Sequence, residues 1–189
     1  MTSSNLRLFL AAPVPEEQLA WVEEQVEPLR ALWPGARWTP RPNQHVTLKF
    51  LGSTAPELLD ELTAACAEVA AAHSPAALVL SGLGAFPSSR RARVLWVGIE
   101  DPAAVLGSLA GALDSALGPL GFASETRRFT AHLTLARFKT PQRLDPLPSV
   151  APAPGEFTLS AFDLWRSHLS PRGATYERLE RFRLLRTAP

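Results

Sequence analysis

Residues 45–52 read HVTLKFLG, and residues 132–138 repeat the phrase as HLTLARF. In both copies polar and apolar residues alternate with a period of two, which is typical of a β-strand with one buried face. Residues i and i+2 of a strand point to the same side, so His45 lies beside Thr47 and His132 beside Thr134. Each copy therefore predicts a strand that buries an apolar row and presents an imidazole and a hydroxyl group together.

A single His-x-Thr in a strand is weak evidence of function, because such a histidine commonly lies at a sheet surface. This chain has only four histidines, and two of them begin the repeated motif. The same alternation predicts that Val46, Leu48 and Phe50 face the core, and it puts Lys49 in phase with His45. We interpret the repeat as a functional pair rather than a coincidence.

Composition limits the class of protein. The 189 residues are 46% hydrophobic and 20% charged, which suits one domain or two small lobes that share a core. A net charge of +1 argues against a protein that coats polyanions without specificity, although it allows a local basic pocket for one phosphate. The single cysteine, Cys66, rules out a disulfide within the chain and favours the reducing cytoplasm. No apolar run approaches the ~20 residues of a membrane helix, so we expect no membrane contact.

A longer repeat surrounds the two motifs. A short apolar strand that begins at Arg7 is followed by a helix and then by His45. A second strand that begins at Arg93 is followed by a helix and then by His132, at nearly the same spacing. Apolar segments at residues 80–86 and 159–165 follow the two motifs. This duplication predicts two lobes related by a pseudo-twofold axis that brings the motif strands face to face.

Two imidazoles and two hydroxyl groups around one cavity suit concerted acid–base catalysis. A zinc site needs three or four ligands, and no further histidine or cysteine stands at ligand spacing. The chain also lacks the Gly-x-Ser-x-Gly and Gly-x-x-x-x-Gly-Lys motifs of two other catalytic classes. We therefore expect neither a metal nor a cofactor, and a phosphodiester substrate, above all a strained cyclic one.

The paired motifs resemble those of the two-histidine (2H) phosphoesterase superfamily, and more narrowly the bacterial and archaeal RNA 2′,3′-cyclic phosphodiesterases, also called 2′-5′ RNA ligases. Residues 7–11, 82–87, 93–98, 167–169 and 176–177 fit the same pattern. The resemblance implies a single bilobal α+β domain over residues 1–189. Two antiparallel sheets would enclose the active site in a central cleft, with helices on the outside. Ala131 replaces a proline that commonly precedes the second histidine, and this change removes no catalytic group.

The resemblance also implies a role for each motif residue. His45 would donate a proton to the departing O3′, and His132 would accept a proton from the attacking water. The product would be a 2′-phosphomonoester, with Thr47 and Thr134 holding the phosphate.

Further residues are candidates with open alternatives. Arg137 is a candidate phosphate ligand, provided that a bulge turns its side chain toward the face of His132. Phe9 is a candidate for base stacking or an ordinary core residue. Lys49 is either part of the site or solvated, and His168 either approaches the cleft or is structural.

Three functions remain open at this point. The first is hydrolysis of RNA ends that carry a 2′,3′-cyclic phosphate. The second is ligation of such an end to a 5′-hydroxyl group, and the third is a non-catalytic RNA- or nucleotide-binding module. The expected partner is an RNA or nucleotide with a 2′,3′-cyclic phosphate end, bound by a monomer in the cytoplasm.

Overall fold

The computed structural model describes residues 4–151, 153–171 and 173–185. Its strands are β1 Leu6–Ala12, β2 Arg37–Trp38, β3 Val46–Thr54, β4 Ala76–Phe86, β5 Ala92–Glu100, β6 His132–Gln142, β7 Phe157–Leu159, β8 Ala161–Ser170 and β9 Gly173–Arg183. Its α-helices are α1 Glu16–Leu32, α2 Leu59–Ala71 and α3 Val105–Leu117. Single turns of 3₁₀ helix span Arg41–Asn43, Pro56–Leu58, Ser89–Arg91 and Gly118–Leu120.

The strands form two sheets. One has the order β3-β1-β8-β9 and the other has the order β2-β6-β5-β4-β7. Each recorded strand pair is antiparallel. This architecture confirms the predicted α+β class with two antiparallel sheets, and it places the two histidine motifs in different sheets.

The sheets share an internal order that follows the sequence repeat. Strand β3 lies beside β1 and then β8, just as β6 lies beside β5 and then β4. Strand β4 follows the first histidine motif in sequence but lies in the sheet that contains the second motif. Strand β8 follows the second motif in sequence but lies in the sheet that contains the first motif. The apolar segment at 159–165 is interrupted at Ser160, so that β7 and β8 join different sheets. Each sheet therefore contains strands from both halves of the chain.

A β-bulge in β3 changes which residues face the core. Leu10 pairs with Lys49 and Ala11 pairs with Thr47, which leaves Leu48 as an extra residue in β3. Leu48 and Lys49 are consequently both buried, and Phe50 is 66% exposed. The predictions that Phe50 faces the core and that Lys49 is in phase with His45 were wrong, because uninterrupted alternation does not hold across a bulge.

Strand β6 has a bulge at the corresponding position. Leu95 pairs with Ala136 and Trp96 pairs with Thr134, which leaves Leu135 as the extra residue. Leu135 and Ala136 are both buried, and Arg137 returns to the face of Thr134. The bulge on which the prediction for Arg137 depended is therefore present.

Each of the three α-helices buries an apolar face. Helix α1 follows Pro15, has Glu16 and Glu17 in its first turn, and buries Leu19 and Val22 among others. Helix α3 packs against both α2 and β3. None of the helices in the described ranges is long and apolar enough to span a membrane.

Candidate active site

Both histidine motifs line one cleft of about 650 Å³. Residues from the two sheets contribute to its walls: His45, Thr47, His132, Thr134, Arg137 and Tyr176. The cleft thus contains the catalytic and phosphate-binding candidates predicted from the repeated motif, although the motifs are far apart in sequence.

Aromatic rings hold the first imidazole in place. The ring of Phe9 stacks on His45 with centroids 4.8 Å apart and planes 28° apart. Tyr176 contacts the same imidazole edge-on, at 5.4 Å. A ring N–H of His45 donates to the backbone carbonyl of Asn43. The side-chain amide nitrogen of Asn43 in turn donates to the carbonyl oxygen of Ala174 at 2.7 Å. These contacts fix the tilt of the ring, and the nitrogen of the neutral ring that does not donate to Asn43 is left as an acceptor.

The second imidazole is held in a parallel way. His132 Nδ1 lies 2.7 Å from the carbonyl oxygen of Thr130. Because a carbonyl oxygen can only accept, Nδ1 carries the hydrogen, and Nε2 of the neutral ring carries the lone pair. Phe86 contacts His132 edge-on at 5.0 Å, and Trp96 lies 6.0 Å away. The indole of Trp96 packs directly over Gly84, where an added Cβ would overlap it.

Burial and charge lower the pKa of both histidines. Desolvation is the largest cause for His45 and lowers its pKa to about 4, with smaller contributions from the charges of Arg137 and His132. Desolvation and then Arg137 also lower the pKa of His132. Both imidazoles are therefore neutral near pH 7 in the free cleft.

Positive charge in the cleft comes from arginine side chains. Arg7, Arg37 and Arg137 all line the cleft that contains the two histidines. None of the three forms an ion pair with a carboxylate in the described ranges. An anion such as a phosphate is the natural counter-charge for them. Across the described part of the chain, no three His, Cys, Asp or Glu side chains are grouped so as to hold a metal ion.

Phe9 does not have the surroundings that base stacking needs. The side chain is only 4% exposed, and besides His45 it lies against Trp165 at 6.5 Å and Tyr176 at 4.9 Å. Of the two alternatives for Phe9, this burial favours an ordinary core residue over base stacking, because neighbouring rings already cover the side chain. Phe9 supports the imidazole of His45 from beneath instead.

Two other candidates lie outside the cleft. Lys49 is buried and its ammonium group pairs with Asp114. His168 Nε2 bonds to a carboxylate oxygen of Glu177 at 2.8 Å, while its neighbours Ser167 and Leu169 line the cleft. His168 thus projects from the other face of β8, which agrees with a structural role.

Sequence reasoning missed several residues that build the site. Tyr176, Trp96 and Phe86 lie within stretches that supported the family resemblance, but no spacing rule assigned them to the histidines. Nothing in the sequence around Arg37 and Asn43 indicated that they belong to the site, because their positions depend on pairing with distant strands. Arg37 is opposite Arg137 in the β2–β6 pair, and Asn43 is bonded to β9.

Comparison with known proteins agrees with the two-sheet fold and the shared cleft. The family model described as 2′-5′ RNA ligase superfamily matches residues 15–171. The chain belongs to the 2′-5′ RNA ligase superfamily. The match includes both histidine motifs and seven of the nine strands in the described ranges, β2 to β8.

Curated relatives within the superfamily are similar along most of their length. The RNA 2′,3′-cyclic phosphodiesterase of Methanothermobacter thermautotrophicus is 30% identical over 185 residues, which are 95% of this chain and 100% of the relative. The RNA 2′,3′-cyclic phosphodiesterase of Thermus thermophilus is 33% identical over 190 residues, with 95% of this chain and 90% of the relative covered.

Two solved structures share the architecture of this chain. The crystal structure of TT0787 from Thermus thermophilus is 34% identical, with a TM-score of 0.77 and coverage of 95% of this chain and 98% of that one. The crystal structure of E. coli LigT complexed with 3′-AMP is 26% identical, with a TM-score of 0.77 and coverage of 96% and 99%.

Proposed function

We propose that this chain is an RNA 2′,3′-cyclic phosphodiesterase that hydrolyses a terminal 2′,3′-cyclic phosphate to a 2′-phosphomonoester. One observation carries the proposal: His45 and His132, from different sheets, line a single cleft with the hydroxyl residues Thr47 and Thr134. The curated relatives that match over most of this chain have the same activity in their names.

The proposed reaction begins with an attacking water molecule. The neutral Nε2 of His132 accepts a proton from the water as its oxygen bonds to phosphorus. The bond between phosphorus and O3′ breaks on the opposite side, and His45 donates a proton to the departing O3′. The phosphate stays on O2′, and His132 is left protonated while His45 is neutral. Release of one proton from His132 and uptake of one by His45 restore the starting state.

Three side chains stabilise the charge that develops on the phosphate. The hydroxyl groups of Thr47 and Thr134 donate to the non-bridging oxygens. The guanidinium of Arg137 offers a fork of N–H donors and a full positive charge, which suits the two oxygens of a phosphate. Such preorganised donors lower the transition-state energy because they are already aimed at the charge before the reaction starts.

The donor must acquire its proton before it can act. In the free cleft the pKa of His45 is lowered to about 4, chiefly by desolvation, so only a small fraction is protonated at neutral pH. A bound phosphate brings a negative charge beside the ring and favours the imidazolium form. Substrate binding and protonation of His45 are thus coupled, and the substrate's own charge recruits the acid that the reaction needs.

The same residues support ligation when a 5′-hydroxyl group takes the place of the water. His132 would then accept the proton of that hydroxyl, and the product would contain a 2′-5′ linkage. Water is present at a far higher concentration than any RNA end, which favours hydrolysis. A binding module without turnover would need a disabled acid or base, whereas both His45 and His132 are present and line the cleft.

We further propose that residues 1–189 act as one bilobal unit and as a monomer in the cytoplasm. Each sheet contains strands from both halves of the chain, so neither half can form its wall of the cleft alone. Both histidines of the site come from one chain. The lone thiol of Cys66 is buried, and burial raises its pKa to about 12, which suits an inert core residue in a reducing compartment.

The proposal is tested with a short RNA that ends in a 2′,3′-cyclic phosphate. We expect conversion to the 2′-phosphate, identified by chromatography against standards with 2′- and 3′-phosphate ends. A second incubation adds an RNA with a 5′-hydroxyl end and measures 2′-5′ joined product. Binding without any turnover in either incubation would contradict catalysis, and a 3′-phosphate product would contradict the assigned leaving group.

A further inference from the structure

Two arginine residues stand directly opposite each other in the sheet of the second motif. Arg37 of β2 is the register partner of Arg137 of β6 in an antiparallel pair, so their Cα atoms are about 4.5–5.5 Å apart. Direct cross-strand partners point to the same face of a sheet, and both side chains line the histidine cleft. Like charges in this position repel each other and destabilise the strand pair.

No carboxylate relieves this repulsion in the part of the chain that the structure describes. Neither guanidinium forms an ion pair or donates a hydrogen bond to another described residue, and both side chains are exposed. The guanidinium of Arg181, by contrast, is held by the carboxylate of Asp163. A pair of adjacent cations without a counter-charge, inside a substrate cleft, indicates a ligand with two neighbouring negative groups.

The head group of Arg37 reaches toward the opposite wall of the cleft. Its Nη2 atom lies 3.1 Å from the point that a Cβ on Gly173 would occupy, and Gly173 begins β9 in the other sheet. The missing side chain at Gly173 thus leaves room for the guanidinium. Arg37 therefore spans the gap between the sheets, beside the arginine that the proposed mechanism assigns to the reacting phosphate.

We propose that Arg37 binds the second phosphate of the substrate, the one on O5′ of the nucleotide that carries the 2′,3′-cyclic phosphate. This assignment rests on the proposed function, in which Arg137 holds the cyclic phosphate. At such an RNA end the cyclic phosphate occupies both O2′ and O3′, so the chain continues only through O5′. The next phosphate is consequently one ribose away from the first, and two neighbouring arginine side chains of a strand pair match that arrangement.

The assignment narrows the class of substrate. A second phosphate contact favours a nucleotide that is still part of an RNA chain over a free nucleoside 2′,3′-cyclic phosphate, which has an uncharged hydroxyl group at O5′. The contact depends on the charge and position of a phosphate and carries no information about the base. The cleft therefore recognises RNA ends of any sequence through this contact, and Arg37 distinguishes them from single nucleosides.

The test compares two dinucleotides of adenosine that end in a 2′,3′-cyclic phosphate. One has the natural charged phosphodiester between its nucleosides, and the other has an uncharged methylphosphonate in that place. In both, the upstream ribose is 2′-O-methylated, which keeps the methylphosphonate linkage intact. The two share both bases and differ in one negative charge. We expect the unaltered chain to have an about ten- to a hundredfold higher kcat/KM on the charged dinucleotide, mainly through a lower KM.

Three variants locate the contact through the ratio of kcat/KM on the charged dinucleotide to that on the uncharged one. Arg37→Gln should bring this ratio close to one. Arg7→Gln removes an equal charge from the same cleft and should reduce the ratio far less. Arg183→Gln, at an exposed position of β9 outside the cleft lining, should leave the ratio unchanged.

Two kinds of result would overturn the assignment while hydrolysis still supported the proposed function. One is a ratio near one in the unaltered chain, or an undiminished ratio in Arg37→Gln. The other is an equal loss in Arg37→Gln and Arg7→Gln, which would show a general field of the cleft rather than a contact. Failure of the unaltered chain on both dinucleotides and on a longer RNA with the same end would overturn the proposed function itself, and this assignment with it.

Discussion

The ammonium nitrogen of Lys49 lies 2.5 Å from Oδ1 of Asp114, across the boundary between β3 and α3. The Lys49 side chain is 4% exposed and that of Asp114 is 24% exposed. Lys49 also donates to the carbonyl oxygen of Ala123 at 2.9 Å. The bulge at Leu48 that turns Phe50 into the cleft turns Lys49 into this pair, so the ion pair anchors the strand of the first motif to the neighbouring helix.

The first prediction concerns the stability of this pair. Asp114→Ala should lower the free energy of unfolding by about 3–5 kcal/mol, because it leaves a buried ammonium without its partner. Lys49→Met should cause a smaller loss, since methionine fills similar space and the remaining carboxylate is partly hydrated. Urea unfolding of both variants measures the difference. Equal losses of unfolding free energy in the two variants would contradict the argument that Lys49 is more deeply buried than Asp114.

The pair should also make stability depend on pH in the acid range. The hydrogen bond from Lys49 is the first cause that lowers the pKa of Asp114 in the folded state. A lowered pKa contributes stability that is present above the unfolded value, and this contribution is lost as the pH falls through the folded value. The stability difference between the unaltered chain and Asp114→Ala should therefore shrink below about pH 4.

The second prediction concerns the two histidines. His45→Ala and His132→Ala should each lower kcat on a 2′,3′-cyclic phosphate by about 10²–10⁴-fold, which is the usual contribution of one general acid or base. His168→Ala is the matched control, because that ring is exposed and pairs with Glu177. The control should keep near-normal activity. Near-normal turnover in either cleft variant would show that the acid–base assignment is wrong.

The third prediction concerns the pH dependence of turnover. The pKa of each cleft histidine is lowered from 6.5, and kcat/KM reports the free protein. The bell-shaped profile of kcat/KM should therefore have its maximum below pH 6.5. The profile of kcat should lie at higher pH, because the bound phosphate favours both imidazolium forms. Steady-state rates across the pH range test this order, and a kcat/KM maximum above pH 7 would contradict it.

The fourth prediction concerns Arg137. Its charge lowers the pKa of both His45 and His132, so Arg137→Gln should raise both pKa values. NMR titration of the imidazole hydrogens measures this shift without any turnover. The variant should also hydrolyse the cyclic phosphate more slowly, since a phosphate ligand is lost. The exposed Arg183, at the end of β9, provides the control Arg183→Gln, in which neither change is expected.

The fifth prediction concerns metal ions. Activity should persist after extensive treatment with EDTA, because the proposed proton transfers and phosphate contacts all use side chains of the chain itself. Hydrolysis rates before and after chelation, and after re-addition of Mg²⁺, Mn²⁺ or Zn²⁺, measure the effect. Loss of activity on chelation with recovery on one added ion would point to a metal site that the histidine motifs did not indicate.

Much of the cleft could be predicted from local pattern. The alternation in the repeated motif placed His45 beside Thr47 and His132 beside Thr134, since side-chain direction in a strand depends only on neighbouring residues. The same pattern gave wrong directions for Lys49 and Phe50. Their directions depend on bulges, which arise when the partner strand pairs out of step, and a single strand's sequence does not contain that information.

The amino-acid sequence alone determined the two motif strands and the pairing of an imidazole with a hydroxyl group on each, and the family resemblance of its motifs implied the α+β class. Tertiary structure decided that the halves exchange β4 and β8 between sheets, that Phe9 is covered and that Phe50 is open to the cleft. The physical reason is the range of the interactions. Strand periodicity follows from local backbone geometry, whereas strand order, bulges and burial are set by contacts between segments that are distant along the chain.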